Sequence, residues 1–209
     1  ADMWKSSFIN YWGIPKKMPK KPFLLVVSNM TYANSILPFH KIISSYREKG
    51  YFKYDSELLT KNFGMASEHY LTTAAFIKGI KYLAKFNKGY EIVLRPHPAE
   101  KVESWKDYLN DIPNVHVIRE GSITPWVNNS FAVMHNGCTT ALEATVAKKP
   151  IITYVPYKQN YTDFLPNKLG HRVESLDELL RSVNSLFENI KFEDQEKIKK
   201  IPDQVLKKI

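Results

Sequence analysis

The chain has 209 residues, 44% of them hydrophobic, which suits one compact domain with a real core and a short appended segment. No apolar run approaches the roughly eighteen residues of a membrane-spanning helix, and residues 1–5 lack the apolar stretch of a signal peptide. The formal charge of +9 is spread along the chain, with lysine clusters at 16–21 and 197–208 and no RNA- or DNA-binding motif. It points to anionic lipid head groups or phosphorylated substrates, and no nucleic-acid partner is expected.

Residues 1–22 are aromatic, basic and proline-punctuated, and read as a connecting segment. Residues 23–27 (FLLVV) form a continuous apolar run ending in Ser28-Asn29, the pattern of a strand buried on both faces. Residues 37–49 suit a helix, and 66–86 carry apolar side chains at helical spacing (Leu71, Ala74, Ala75, Ile77, Ile80, Leu83, Ala84). A second strand over 90–94 runs into Arg95-Pro96-His97-Pro98, where the prolines end any ladder and stiffen the loop. A short helix at 103–109, a strand at 115–118, a short helix at 122–128 and a strand at 131–134 follow. The last of these ends at His135-Asn136-Gly137, ahead of a helix at 139–147, a strand at 150–155 and a periodic helix at 176–189. Residues 191–209 form a basic helical tail. This alternation is that of an α/β, Rossmann-like, doubly wound parallel sheet over 23–190, in which ligands sit at the carboxyl ends of the strands.

Two loops at such ends carry residues suited to chemistry. In the turn His135-Asn136-Gly137-Cys138-Thr139-Thr140, Gly137 permits positive φ, and the following N–H groups and hydroxyls suit a phosphate. The same turn contains Thr140-x-x-Glu143, which equally describes an ordinary capping box. Cys138 fits a small packed residue better than a nucleophile. As the chain's one cysteine it forms no internal disulfide, which fits a reducing cytoplasm. Arg95 and His97 stand on the proline-stiffened loop, where Arg suits bidentate phosphate contacts and His a hydrogen bond to a leaving phosphate. Glu100 and Glu103 read as charges for the first turn of the 103–109 helix. The six histidines lack metal-ligand spacing and no Asp-x-Asp pair occurs, so no metal or cofactor is expected.

Several segments then resemble, in order, the bacterial surface carbohydrate biosynthesis proteins, which are similar to GT-B glycosyltransferases. They are 23–29, Arg95–Glu100 with Trp105, Gly121–Trp126, His135–Thr140 with Glu143, Lys149–Tyr154 and Asp163–Asn167. The resemblance implies the donor-binding, C-terminal half of a GT-B fold, acting on a nucleotide-sugar in capsule or lipopolysaccharide synthesis. The His-Pro pair also resembles Kdo- and sialyltransferases and CDP-glycerol glycerophosphotransferases, which implies a cytidine nucleotide, foremost a CMP-activated sugar acid. By that resemblance His97 contacts donor phosphate with Arg95 beside it. Ser28, Asn29, Pro98, His135, Asn136, Gly137, Cys138, Thr139 and Thr140 line the donor grip. Glu143 meets ribose hydroxyls, and Ser122 and Thr124 lie near the base. The implied partners are the nucleotide-sugar donor and a glycan or lipid-linked acceptor, in the cytoplasm and peripherally at the inner face of its membrane. A chain this short lacks a GT-B acceptor domain, so it is expected to be a fragment or partial homologue. The alternatives are a CDP-glycerol or CDP-ribitol phosphotransferase and a non-catalytic nucleotide-sugar or partner-binding module.

Overall fold

A computed structural model describes residues 13–51, 56–109 and 111–188. The basic tail expected over 191–209 and most of the connecting segment lie outside these residues.

Six parallel strands run in the order β3-β2-β1-β4-β5-β6. They are β1 (Phe23–Val27), β2 (Glu91–Arg95), β3 (Val115–Val117), β4 (Ala132–His135), β5 (Ile151–Tyr154) and β6 (His171–Val173). The helices are α1 (Thr31–Asn34), α2 (Phe39–Glu48), α3 (Ser56–Phe86), α4 (Val102–Leu109), α5 (Ile123–Asn129), α6 (Thr140–Val146) and α7 (Leu176–Phe187), with a 3-10 turn at Leu165–Lys168.

The apolar runs are continuous because helices cover both faces of the sheet. Leu24, Val26, Ile92, Leu94, Met134 and Ile152 face α3, α4 and α7, where they meet Phe76, Ile80, Leu83, Trp105 and Leu179. The alternate residues Phe23, Leu25, Val27, Val93 and Val133 face α5 and α6, with Trp126, Ala141 and Ala144. Phe76, Ile80 and Leu83 are fully buried, and each stabilises by roughly 2–3 kcal/mol through area removed from water. The doubly wound α/β reading therefore holds, and the strand order is that of a Rossmann sheet reversing direction between β1 and β4.

Several boundaries differ from those the sequence suggests. The long helix begins at Ser56, ten residues before 66, because its first turns pack against α1 with side chains only half covered, which blurs the periodicity. α1, the 3-10 turn and β6 have no counterpart in the sequence pattern; β6 is a three-residue edge strand with one buried side chain, too short to show alternation. The Thr140-x-x-Glu143 pattern is not a capping box. Thr139 occupies the N-cap with helical backbone and no side-chain cap. The same pattern at Ser175-x-x-Glu178 does cap, with Ser175 accepting the Glu178 N–H at 3.2 Å.

Candidate functional site

The reversal between β1 and β4 opens the sheet's carboxyl edge, and the loop after β1 is tied to both of its neighbours. On the β2 side the tie is Glu100, which is fully buried. Its carboxylate accepts from the Ser28 hydroxyl, the Met30 N–H and, at 2.8 Å, the Trp105 indole N–H. Burial pushes its carboxyl above the usual range, and these hydrogen bonds oppose that. Glu100 is thus a hub joining the β1 and β2 loops, and the expectation that it merely charges a helix start is corrected. On the β4 side, Asn29 donates through Nδ2 to the Gly137 carbonyl at 3.0 Å.

His97 follows β2, half-buried, with exposed Pro98 beside it. Its Nδ1 accepts the Ala99 N–H at 3.1 Å, which puts the ring proton on Nε2, and Nε2 has no partner among the described residues. Arg119 donates to the Pro98 and Glu100 carbonyls at 3.1 and 2.9 Å, fixing the loop from outside.

Arg95 does not present itself for phosphate as its sequence context suggests. It is 8% exposed, donates to the carbonyls of Glu120 and Gly121 at 2.7 and 2.9 Å, and lies 5.0 Å over the Trp126 ring. Burial lowers its pKa to about 10. Its place on β2 turns it inward toward α5, so it pins the Glu120-Gly121 turn that leads into Ser122 and the first turn of α5, where Thr124 lies. Ser122 is the N-cap of α5, accepting the Thr124 N–H at 3.4 Å, and Thr124 is buried.

The turn after β4 is held from above. Gly137 has φ +67°, which glycine adopts without strain, and its N–H donates to Asn167 Oδ1. That amide is therefore engaged and does not join an open phosphate cradle. Asn136 is also tied inward, donating to the Tyr154 carbonyl at 2.8 Å and accepting from Gln159 at 2.9 Å. Thr140 is buried with its hydroxyl against the Cys138 thiol at 3.4 Å, which leaves Thr139 as the exposed hydroxyl of the pair. Burial raises the Cys138 thiol's pKa, in keeping with a packed residue. Glu143 keeps Oε2 buried and without a partner among the described residues, and burial raises its carboxyl pKa.

His135 is a correction. The β4 ladder continues through it, pairing it with Val27 and Thr153, and the ring has no exposed surface. The Thr153 hydroxyl donates to the Leu169 carbonyl and so can only accept from His135 Nε2, at 2.9 Å. Burial lowers the ring's pKa to about 3. A neutral core histidine cannot reach a donor.

The sequence also hid a clamp. The Glu68 carboxylate, on α3, accepts the N–H groups of Asn160, Tyr161 and Thr162 at 2.7, 3.1 and 2.9 Å and the Thr162 hydroxyl at 2.6 Å. This fixes the 157–167 loop over the β4 turn. Gly64, one turn earlier, leaves room for the Tyr161 ring; a Cβ there would lie 2.5 Å from it. Beside Glu68, His69 lines a crevice with Asn29, Thr72, Gly137, Thr162 and Phe164. No local pattern marked Glu68 or His69, since their loop partners are distant in sequence. Among the described residues no group of three or more His, Cys, Asp or Glu side chains is arranged for a metal, and no helix is long and apolar enough to cross a membrane.

No family model and no curated protein matches the chain. Among solved structures it is similar to TarM, with a TM-score of 0.48 and 15% identity over 94% of this chain and 36% of that one. It is similar to the UDP-GlcNAc 2-epimerase of Methanocaldococcus jannaschii, with a TM-score of 0.47 and 13% identity over 90% of this chain and 42% of the other. It is also similar to the β-Kdo 2,7 transferase KpsC of Thermosulfurimonas dismutans, with a TM-score of 0.36 and 15% identity over 83% and 48%. The chain spans under half the length of each, and these are distant likenesses of architecture.

Proposed function

We propose that this chain is the donor-binding half of a GT-B glycosyltransferase of bacterial surface polysaccharide synthesis, using a CMP-activated sugar acid. The observation that carries the reading is His97. A histidine fixed through Nδ1 on a proline-stiffened loop, at the carboxyl end of the strand next to β1, has an Nε2–H without a partner among the described residues, which suits a ligand bound across the strand ends. In transfer, that N–H donates to a phosphate oxygen as negative charge builds on the leaving nucleotide, an electrostatic stabilisation that strengthens in the transition state. The exposed Thr139 hydroxyl is the second phosphate contact. The half-buried Glu143, in the first turn of α6, accepts from a ribose hydroxyl through the accessible part of its carboxylate. Arg95 acts through the loop it pins. The acceptor, a glycan or lipid-linked sugar, binds a second domain, and the chain's net charge of +9 favours association with the anionic inner face of the cytoplasmic membrane.

Thermal-shift measurements against CMP, CDP, UDP and GDP test the nucleotide, since a ligand of the folded state raises Tm. A rise with CMP above the others is expected; a flat response to all four overturns the reading. Both cytidine readings release CMP, so the intact donors separate them: a larger rise with CDP-glycerol than with CMP-N-acetylneuraminate favours CDP-alditol phosphotransfer. In protein carrying its acceptor domain, His97→Ala should abolish transfer with the fold intact, and wild-type activity in that variant would refute the assignment.

A further inference from the structure

His69 sits where α3 passes the loop after β1. Its Nδ1 accepts the Tyr32 N–H at 3.1 Å, so the ring proton is on Nε2. Nε2 has no hydrogen-bond partner among the described residues, although the ring is only 8% exposed. Burial holds the ring's pKa down to about 4 against a small opposing pull from Glu68, so the imidazole is neutral in ordinary buffers. Unlike the enclosed oxygen of Glu143, Nε2 is not cut off from solvent, so its N–H stays within reach of water or of a ligand entering the crevice. The crevice it lines has a volume of about 10 Å³, room for one water-sized group.

The other walls say which group. Thr72 has its proton engaged by the Glu68 carbonyl at 2.8 Å, so its hydroxyl offers only lone pairs. The Thr162 proton is likewise engaged by the Glu68 carboxylate. Asn29 has its amide on the Gly137 carbonyl, and its Oδ1 has no partner among the described residues. No lysine or arginine lines the crevice. With neutral donors and acceptors side by side and no cation among the lining residues, the crevice disfavours a phosphate or carboxylate oxygen and suits a group that both accepts and donates.

We propose that the crevice between α3 and the loops after β1 and β4 is a subsite for one hydroxyl group of the transferred sugar or alditol, which accepts from His69 Nε2–H and donates to Thr72 or Asn29. This rests on the donor-site reading above and adds to it. The crevice takes a neutral part of the ligand, and His69 is a contact to the transferred group, separate from the nucleotide grip at His97. Bound alone, the domain keeps a water there, and the ligand's hydroxyl displaces it.

The test uses the chain with imidazole-¹⁵N histidine, titrated with CMP, CMP-N-acetylneuraminate, CDP-glycerol, free N-acetylneuraminate and glycerol. The His69 Nε2 resonance should move with the sugar- or alditol-bearing ligands and stay still with CMP. By calorimetry, His69→Phe should weaken the sugar- or alditol-bearing nucleotide by about tenfold and CMP by less than about twofold, the scale of one hydrogen bond. His69→Gln, whose amide can accept from Tyr32 and still donate into the crevice, should restore binding and controls for misfolding of the Phe variant. Nucleotide binding with an unmoved His69 overturns the subsite and leaves the donor reading standing. A His69 that answers the free sugar acid or glycerol while no nucleotide binds overturns the donor reading and keeps the subsite. Silence to all five overturns both, with the crevice then holding water only.

Discussion

Replacing Glu68 by Gln tests whether the loop over the candidate site is held as described. The substitution keeps shape and length but turns one carboxylate oxygen into an NH₂ group. Turned toward the Oε1 position, that group faces the Asn160 N–H, which loses its 2.7 Å acceptor, while Tyr161 and Thr162 keep Oε2 at 3.1 and 2.9 Å. One hydrogen bond to a charged acceptor is worth about 1.5–3 kcal/mol, and the survivors weaken as the acceptor becomes neutral. Asn160 is exposed and recovers part of its loss from water. The net cost to closing the loop is about 2–3 kcal/mol, which makes amide exchange at 160–162 roughly 30- to 150-fold faster, at tenfold per about 1.4 kcal/mol. Hydrogen–deuterium exchange with peptides covering 155–168 reads this directly. Glu57→Gln, at an exposed position in the first turn of the same helix, is the control and should change nothing. If exchange in the Glu68 variant rises less than about threefold, α3 does not hold the loop through this carboxylate.

Arg95→Lys keeps the charge but loses the fork to two carbonyls and the stacking on Trp126, and should cost about 2–4 kcal/mol in denaturant unfolding; unchanged stability would refute its pinning role. Cys138, buried and with a raised thiol pKa, should resist a thiol reagent in the native protein and react on unfolding; rapid stoichiometric labelling of folded protein would contradict the packing. The folded pKa of His69, about 4, lies below its unfolded value of 6.5, so the unfolded chain takes the proton first and stability is lost as pH falls from 6.5 toward 4. His69→Gln removes this term, and between those limits its unfolding free energy should fall less steeply than wild type, by up to about 1.4 kcal/mol per pH unit. Parallel pH profiles would show that His69 is not held neutral by the fold.

The sheet was legible because two-sided burial writes itself into short apolar runs such as 23–27. The His97 loop was legible because prolines follow a strand directly. The contacts without a local signature join residues far apart in the chain. Glu100 looked like a helix charge, yet one of its partners, Ser28, is 72 residues away, and Glu68 meets a loop 92 to 94 residues on. No period or spacing encodes such pairs. His135 misled for the opposite reason. Its neighbours Asn136 and Gly137 mark a turn, but the ladder runs one residue further and takes the ring into the core. Arg95 was misplaced by the alternation of a strand, which turned its side chain toward Trp126.

The gap at Gly64 makes two positions behave as one. Alanine at 64 improves helix propensity by about 1 kcal/mol, yet its methyl would stand where the Tyr161 ring lies. A smaller residue at 161 frees that space. Each change alone costs stability, whereas the pair should cost less than the sum, a coupling that a double-mutant cycle measures. Substitutions in the loop are therefore constrained by a helix position about a hundred residues earlier, and homologues are expected to exchange the two together: glycine with a large ring, or a side chain at 64 with a small residue at 161.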